Sequence, residues 1–241
     1  MGFQDISVVI INYCAARMTK GAVLNVQRMY PQLTNIIISD DGSQQGEAVF
    51  NTAYGRDAYN KPGRFDMNTD ILKNIPGTTW LPFEEHQGHG KTLDRIVEHI
   101  KTPLMLTMDN DMRITKRGIV ENYLEQLAPD IFVVGTPLSD GPYTWIDPFF
   151  SLWSIDALRR FPRQTFSNYV SPEGKLYPTG YTLTQQMTQG DDLHYPNRYR
   201  IFPMDPVERS DYLWHLRKFS DVGPEHEQSI MWDKWIDGGG E

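Results

Sequence analysis

The feature that most constrains the fold is a short, uninterrupted apolar segment near the start of the chain. Residues 6–11 have the sequence ISVVII, which is almost entirely β-branched. Such a run is typical of a strand in a parallel sheet that helices cover on both faces. Residues 35–38 and 104–108 have the same character. The chain is therefore predicted to form an α/β structure around a mostly parallel sheet.

Helical periodicity separates the predicted strands. Residues 18–30 carry apolar side chains at intervals of three and four, and Pro31 ends the segment. The same spacing recurs in residues 93–100 and 119–127. Further strands are predicted at residues 78–83 and 131–134. This alternation of strand and helix is typical of a Rossmann-like, doubly wound fold.

Two stretches interrupt the alternation. Residues 44–77 are rich in Asn, Gly, Asp and Pro, which indicates a long, partly irregular insertion. Beyond Gly135 the pattern loosens into aromatic-rich segments, with short helices predicted from Ser154 and at residues 182–188. At 241 residues, one domain with function-bearing insertions is expected.

The charge and the cysteine content restrict the classes of partner and compartment. With 31 acidic against 23 basic residues, the net charge of −8 opposes non-specific attraction to nucleic acid or anionic lipid. Cys14 is the one cysteine, and no signal segment follows Met1. No apolar run approaches the roughly 20 residues that cross a bilayer. We expect a cytoplasmic protein, at most peripheral to a membrane, and a homo-oligomer is compatible with these features.

Polar and acidic residues follow three of the predicted strands. The first strand ends in Asn12 and Tyr13, the second in Asp40 and Asp41, and another in the segment 109–111. Ligands of open parallel sheets bind beyond the carboxyl ends of the strands, so these residues are expected to meet in one crevice. The alternating carboxylates of an Asp-Asn-Asp segment suit a divalent metal ion and a ribose hydroxyl. A solvated turn or a helix cap is the alternative interpretation.

These segments resemble the nucleotide-binding half of the family-two glycosyltransferases of the GT-A fold. The resemblance is carried by SVVIINY, IISDDGS and LTMDND, which begin at Ser7, Ile37 and Leu106. It covers residues 5–135 well and the remainder in outline. It implies one GT-A domain, with a nucleotide-sugar-binding half in residues 1–135 and an acceptor-side half in residues 136–241.

The resemblance also implies roles for individual residues in binding the donor. Asp41 corresponds to the acid that accepts the imide N–H of a uracil or thymine base, and Asn12 and Tyr13 lie beside that base. Asp109 would face the ribose or the sugar, and Asp111 would bind Mn²⁺ or Mg²⁺. For Asp40 we favour a structural role. Tyr13 could instead be a core aromatic residue.

The segment HQGHGKTLD, residues 86–94, is predicted to begin a helix and resembles the family's Asn-x-Gly segment, with His86 in the place of the asparagine. Gly88 and Gly90 would admit a ligand close to the backbone, and Lys91 could reach a phosphate. A glycine turn with a solvated lysine is the alternative. The same segment contains GKT, the three residues with which a P-loop motif ends. However, Glu85 is at the position where a P-loop needs glycine.

The late segment WHLRKFS, residues 214–220, resembles the family's late histidine segment, which makes His215 a candidate metal ligand beside Asp111. A packed structural histidine is the alternative. The helix start where inverting members carry a base has no carboxylate in residues 176–181. Asp147 is the substitute that we favour as catalytic base. The pair Asp191 and Asp192 is the second candidate, although it could form a turn.

Together these features predict a metal-dependent glycosyltransferase that uses a nucleotide-diphosphate sugar donor, with a uridine-type base favoured, and an unknown hydroxyl acceptor. Two alternatives remain open. A nucleotidyltransferase would have similar architecture, but it needs a glycine-rich, basic loop after the first strand, where only Arg17 is basic. A catalytically silent nucleotide-sugar-binding or scaffold domain would keep the crevice without the base.

Overall fold

The computed structural model describes residues 1–43, 67–140, 143–159, 165–170, 174, 176–177, 179–189, 200–203 and 212–215. Its helices are α1 (Ala16–Met29), α2 (Asp70–Lys73), α3 (His89–His99), α4 (Ile119–Gln126), α5 (Ile155–Arg159) and α6 (Tyr181–Gln189). Its strands are β1 (Ile6–Asn12), β2 (Ile36–Asp41), β3 (Thr78–Phe83), β4 (Leu104–Met108), β5 (Met112–Ile114), β6 (Ile131–Asp140), β7 (Tyr143–Ser154), β8 (Tyr169–Val170), β9 (Leu176–Tyr177), β10 (Arg200–Pro203) and β11 (Leu213–His215).

A mostly parallel sheet forms the centre of the fold, as the sequence predicts. Its strand order is β10-β6-β7-β4-β1-β2-β3. All neighbouring pairs are parallel except those of β7, which runs antiparallel between β4 and β6. The chain moves outward from β1 through β2 to β3 and then returns to place β4 on the other side of β1. The strand order therefore reverses at β1, where open α/β sheets bind their ligands.

Helices cover both faces of the sheet because alternate residues of its buried strands point to opposite sides. On one face, Val8 and Ile38 pack in the same core as Val23 of α1 and Val120 of α4. On the other face, a second core contains Val9, Ile37, Met105 and Trp153 with α3 residues such as Leu93. This double coverage explains why β1 and β4 are continuous apolar runs.

Strand β7 is the main element that the periodicity analysis does not predict. Its aromatic-rich sequence was interpreted as loosely ordered, yet residues 150–154 pair with β4 and form part of the sheet. Against β6, Ser151 pairs with Gly135 whereas Ile146 pairs with Pro137. Residues 147–150 therefore bulge opposite Thr136. A bulge of this kind redirects side chains at the edge of a sheet, and here it includes Asp147.

Two further boundaries differ from the predictions. Strand β2 extends through Asp40 and Asp41, which were expected to lie in a turn, and β6 continues to Asp140. Within the predicted irregular stretch, residues 44–66 lie outside the described part of the chain, and α2 follows them. Across the ranges that the structure describes, no helix is long and apolar enough to cross a membrane.

Candidate functional site

The ends of β1 and β2 are joined by a buried polar network. Asn12 donates from Nδ2 to Oδ1 of Asp40 (2.6 Å) and to Oγ of Ser43 (3.0 Å), and its Oδ1 accepts from the Thr19 hydroxyl (2.8 Å). The Ser43 hydroxyl and backbone N–H both donate to Asp40. Asn12 has no exposed surface, and Asp40 has 3%. These two residues therefore hold the strand ends in register from below the crevice, which agrees with the structural role expected for Asp40.

Asp41 points away from this network, toward the segment that precedes α3. Its Oδ1 accepts the backbone N–H of Gln87 (2.9 Å), and its Oδ2 accepts that of Gly88 (3.1 Å). Nδ1 of His86 lies 2.8 Å from Oδ2. Because Gly88 is the N-cap of α3, the carboxylate sits at the positive end of that helix. Three donors and the helix dipole together stabilise a charge that would otherwise be costly to bury.

The turn after β2 packs directly on the segment that precedes α3. Gly42 has φ +73°, a left-handed conformation that favours glycine. A Cβ at this position would overlap the backbone of Glu85 and His86. The Asp-Asp-Gly-Ser sequence thus needs its glycine for both conformation and close approach. The backbone at His86 is thereby fixed against β2.

The Asp-Asn-Asp segment begins immediately after β4. The N–H of Asp109 donates to the carbonyl of Phe149 (2.7 Å), which connects this segment to the bulge of β7. Asn110 donates to the Thr19 hydroxyl (3.2 Å) and so joins the buried network of β1 and β2. Asp109 and Asp111 are each partly exposed. Asn110 is partly exposed as well, and its hydrogen bond to Thr19 holds the segment against α1.

A histidine that the sequence analysis did not single out lies beside the first of these acids. Nε2 of His89, the first residue of α3, is 3.6 Å from Oδ1 of Asp109. The start of α3 therefore contacts the ends of both β2 and β4. In the sequence His89 is visible only as a second histidine in the segment 86–94. Its contact with Asp109 could not be predicted because the two residues are 20 positions apart.

The predicted metal ligands are brought close by backbone pairing. Strand β11 pairs with β5 so that His215 is opposite Met112, the residue that follows Asp111. The side chain of His215 lies outside the described part of the structure. In the described ranges no group of three or more His, Cys, Asp or Glu residues forms a metal cluster. Mg²⁺ commonly takes one or two carboxylates and completes its shell with phosphate oxygens and water, which is compatible with Asp111 as the carboxylate ligand.

The two glycines at the start of α3 have different environments. Gly88 has φ +85°, and a Cβ there would meet no atom within 4 Å. At Gly90 a Cβ would overlap the backbone of Phe166 and Ser167. Gly90 therefore admits the chain's own backbone, where the sequence analysis expected a ligand. Lys91 is exposed in the first turn of the helix, compatible with either a phosphate contact or a solvated side chain.

Asp94 anchors the segment that Gly90 contacts. Its carboxylate accepts hydrogen bonds from the Thr165 hydroxyl (2.6 Å), the Phe166 N–H (2.7 Å) and the Ser167 hydroxyl (3.1 Å). Burial raises the pKa of Asp94 above its usual range, an effect that these hydrogen bonds partly oppose. Asp94 therefore fastens α3 to the acceptor-side half.

The candidate catalytic bases fall into two groups. Asp147 lies in the bulge of β7, half-buried, two residues before the carbonyl that binds Asp109. Its Oδ1 accepts the N–H of Phe149 (3.2 Å), the bond of a local turn. The bulge thus brings Asp147 to the strand edge that carries Asp109. Asp191 and Asp192 lie outside the described residues. The first turn of α6 contains no acidic residue.

The aromatic residues of β7 lie mainly in the cores of the fold. Phe150 and Trp153 have no exposed surface and belong to the two cores, and Phe149 is 6% exposed. Trp145 packs edge-on against Tyr181 of α6, with ring centroids 5.5 Å apart. The density of aromatic residues in this strand therefore mainly reflects core packing.

The fold is shared with solved glycosyltransferases. Mannosyltransferase PcManGT from Pyrobaculum calidifontis, in complex with GDP-Man and Mn²⁺, matches with a TM-score of 0.55 and 13% identity over 84% of this chain. S. aureus TarS 1–349, in complex with UDP-GlcNAc, matches with a TM-score of 0.50 and 13% identity over 97% of this chain. The chain has the GT-A fold of these glycosyltransferases.

The likeness is one of fold. This chain spans 55% of the length of the mannosyltransferase and 66% of the TarS chain. No protein-family model and no curated protein matches the sequence. The similarity to these two solved structures confirms the GT-A fold that the strand-end motifs predict. The roles of the individual site residues stay predictions.

Proposed function

We propose that this chain is a metal-dependent glycosyltransferase that moves a sugar from a nucleotide-diphosphate sugar, with a uridine-type base favoured, to a hydroxyl acceptor. The main support is that Asp41, Asp109 and Asp111 follow or end neighbouring parallel strands on either side of β1, where the strand order reverses. Structures of the same fold hold GDP-Man or UDP-GlcNAc. We expect the protein to act in the cytoplasm, at most peripherally at a membrane.

The donor would lie across the ends of β1, β2 and β4. Asp41 and Tyr13 would contact the base, and Asn12 would support both through the network beneath them. Asp109 would bind the ribose or the sugar. Lys91, exposed in the first turn of α3, would neutralise charge on the diphosphate together with the N–H groups of that helix end.

Asp111, with His215 from the adjoining strand, would hold Mn²⁺ or Mg²⁺. When bound, the cation would neutralise negative charge that develops on the diphosphate leaving group. In the transfer step the acceptor oxygen attacks the anomeric carbon, and the bond from that carbon to the diphosphate oxygen breaks. Its electron pair leaves with the nucleoside diphosphate. The acceptor's proton passes to a carboxylate, for which we propose Asp147, with Asp191 or Asp192 as alternatives.

One observation favours a second candidate, a nucleotide-sugar-binding domain without catalytic activity. The first turn of α6, where a base is expected, has no acidic residue. Such a domain would bind the donor with the same residues but would neither transfer its sugar nor hydrolyse it. Measurable hydrolysis of a nucleotide sugar by the purified protein would exclude this candidate.

The proposal is tested by the melting temperature of the protein with nucleotide sugars in the presence and absence of Mn²⁺. A donor at a hundredfold excess over its Kd stabilises the native state by about 2.7 kcal/mol. For a chain of this size that corresponds to a rise of about 5–10 °C. In Asp111→Asn we expect the Mn²⁺-dependent part of the rise to disappear, because an amide keeps the shape but loses the charge.

Asp156→Asn is the matched control for this experiment. Asp156 is exposed in α5, beside the amino-terminal ends of β4 and β6 and thus at the opposite edge of the sheet. It should keep the full metal-dependent rise. An equal rise in Asp111→Asn would refute the metal assignment. If no nucleotide sugar raised the melting temperature of the unmutated protein, the proposed function would be wrong.

A further inference from the structure

An imidazole ring occupies the centre of the proposed base-binding site. The ring of His86 stacks on that of Tyr13, with centroids 3.9 Å apart and planes inclined by 18°. Its Nδ1 is 2.8 Å from Oδ2 of Asp41. A proton on Nδ1 lets the ring donate to this carboxylate. His86 thus combines two contacts: one face on a tyrosine and one edge N–H on a buried acid.

These contacts match those that a uracil-like base would make. A uracil ring is planar, stacks on aromatic side chains and carries one imide N–H on its edge. If Tyr13 and Asp41 bind the base, as the proposed function requires, the histidine and the base need the same space and the same acceptor. They cannot be there together.

Asp41 is almost fully covered by the described residues, among them the imidazole of His86. Its side chain is 2% exposed, whereas that of His86 is 28% exposed. The two backbone donors, from Gln87 and Gly88, do not depend on the imidazole. If the His86 side chain turned outward, Asp41 would keep both of these bonds and would gain a vacant lone pair on Oδ2. The imide N–H of a base could then donate to Oδ2 in place of the Nδ1–H of His86.

The surroundings favour rotation of the side chain over movement of the backbone. Gly42 packs against the backbone of Glu85 and His86, so this part of the chain is held against β2. At Gly88, two positions further on, no atom of the described residues outside its chain neighbours lies within 4 Å of a Cβ position. The ring is partly exposed and needs no opening of the core to leave Tyr13.

From this arrangement we infer that His86 is a gate residue that fills the base-binding site and is displaced by the base of the donor. The inference rests on the proposed function. A base must supply both a stacking ring and an edge N–H to replace the imidazole. Uracil has both, whereas cytosine has only an acceptor at the corresponding ring nitrogen. Once His86 has been displaced, Asp41 therefore discriminates between the two pyrimidines.

Binding of uridine 5′-diphosphate and cytidine 5′-diphosphate with Mg²⁺, measured by calorimetry, tests the gate. In the unmutated protein the observed affinity is lowered, because the base binds only to the fraction of molecules in which the His86 ring is displaced. His86→Ala removes this requirement, and we expect it to bind uridine diphosphate about tenfold more tightly. Cytidine diphosphate should bind more weakly than uridine diphosphate to the unmutated protein. His99→Ala, at the exposed far end of α3, is the matched control and should leave the affinity unchanged.

A second measurement avoids dependence on a variant. The imidazole protons of His86, identified by their absence in His86→Gln, should be shifted upfield by the Tyr13 ring in the unliganded protein. Saturating uridine diphosphate should move them toward the positions of an exposed histidine. Unmoved resonances at saturation would overturn the gate.

The outcomes separate failure of the gate from failure of the proposed function. If uridine diphosphate binds the unmutated protein and His86→Ala binds it equally or less tightly, His86 supports the base and the gate is wrong, whereas the proposed function survives. If neither protein binds any nucleoside diphosphate, both proposals fall together.

Discussion

Cys14 shows how one residue takes its properties from the strand end that surrounds it. It follows β1 with φ +52°, a left-handed conformation that is uncommon outside glycine. Its N–H donates to the Ser43 hydroxyl (2.9 Å), and its side chain is fully buried. Burial, with a smaller contribution from the negative charge of Asp40, raises the pKa of the thiol to about 11. The native protein therefore holds no thiolate near neutral pH, and we assign Cys14 no nucleophilic role.

This pKa predicts a loss of stability in alkali. Above pH 9 the thiol ionises in the unfolded chain but stays protonated in the native state, so the free energy of unfolding falls until the pH reaches about 11. Between pH 9 and pH 10.5 this should amount to about 1.5 kcal/mol. Cys14→Ala should lack this component of the loss.

Urea unfolding of both proteins across this pH range measures the difference. Tyr30, whose pKa burial raises to about 12, also destabilises the native state in alkali. It contributes equally to both proteins and cancels when they are compared. Parallel pH profiles for the unmutated protein and Cys14→Ala would contradict the assignment.

At the scale of an element, α3 connects the two halves of the fold. At its N-terminal end, the N–H of Gly88 donates to Asp41 of β2, and His89 contacts Asp109. One residue further, Gly90 packs against residues 166 and 167, and Asp94, one turn beyond Gly90, binds these two residues. A displacement of this helix would therefore disturb the base-binding contacts and the acceptor-side segment together.

Substitutions at Asp94 should reveal this connection. Asp94→Ala leaves three hydrogen-bond donors of residues 165–167 without their acceptor, and we expect a loss of about 2–4 kcal/mol in the free energy of unfolding. Asp94→Asn should lose less than about 1 kcal/mol. An amide oxygen still accepts the Phe166 N–H, its NH₂ can donate to the hydroxyls, and a neutral group avoids the cost of burying a charge.

Chemical denaturation at neutral pH measures both changes. Glu98→Ala, at an exposed position of the same helix, is the control for helix propensity and should change little. Equal losses in the alanine and asparagine variants would mean that the charge of Asp94, rather than its hydrogen bonds, holds the segment.

At the scale of the whole molecule, the crevice is assembled from both halves. The nucleotide-binding half contributes the ends of β1, β2 and β4. The acceptor-side half contributes β7, whose bulge binds Asp109 through the carbonyl of Phe149. Donor and acceptor would therefore meet where β4 and β7 adjoin, which is where Asp147 lies.

If Asp147 is the catalytic base, Asp147→Asn should reduce turnover by about 10²–10⁴-fold while the Kd of the donor stays nearly constant. The amide oxygen can still accept the Phe149 N–H, so the bulge should be preserved. Asp156→Asn serves again as the control. Parallel loss of turnover and donor affinity would indicate structural damage. Loss of neither would direct the search to Asp191 and Asp192.

Two features follow from local sequence: the centre of the sheet, which the structure confirms, and the candidate site, whose residue roles stay predictions. β1 and β4 could be predicted because a strand covered by helices on both faces must be apolar throughout, a property visible within a few residues. The acids at the strand ends could be predicted as site residues because ligands of parallel sheets bind at the carboxyl edge.

Only the tertiary structure decided which distant residues meet. Strand β7 joins the sheet through pairing with β4 across more than 40 positions, and its aromatic residues carry no periodicity that reveals this. The stack of His86 on Tyr13 and the contact of His89 with Asp109 likewise join separate segments. Local sequence encodes the spacing of apolar residues in a helix or strand and the residues that end it. Contacts between elements depend on packing that the whole chain sets.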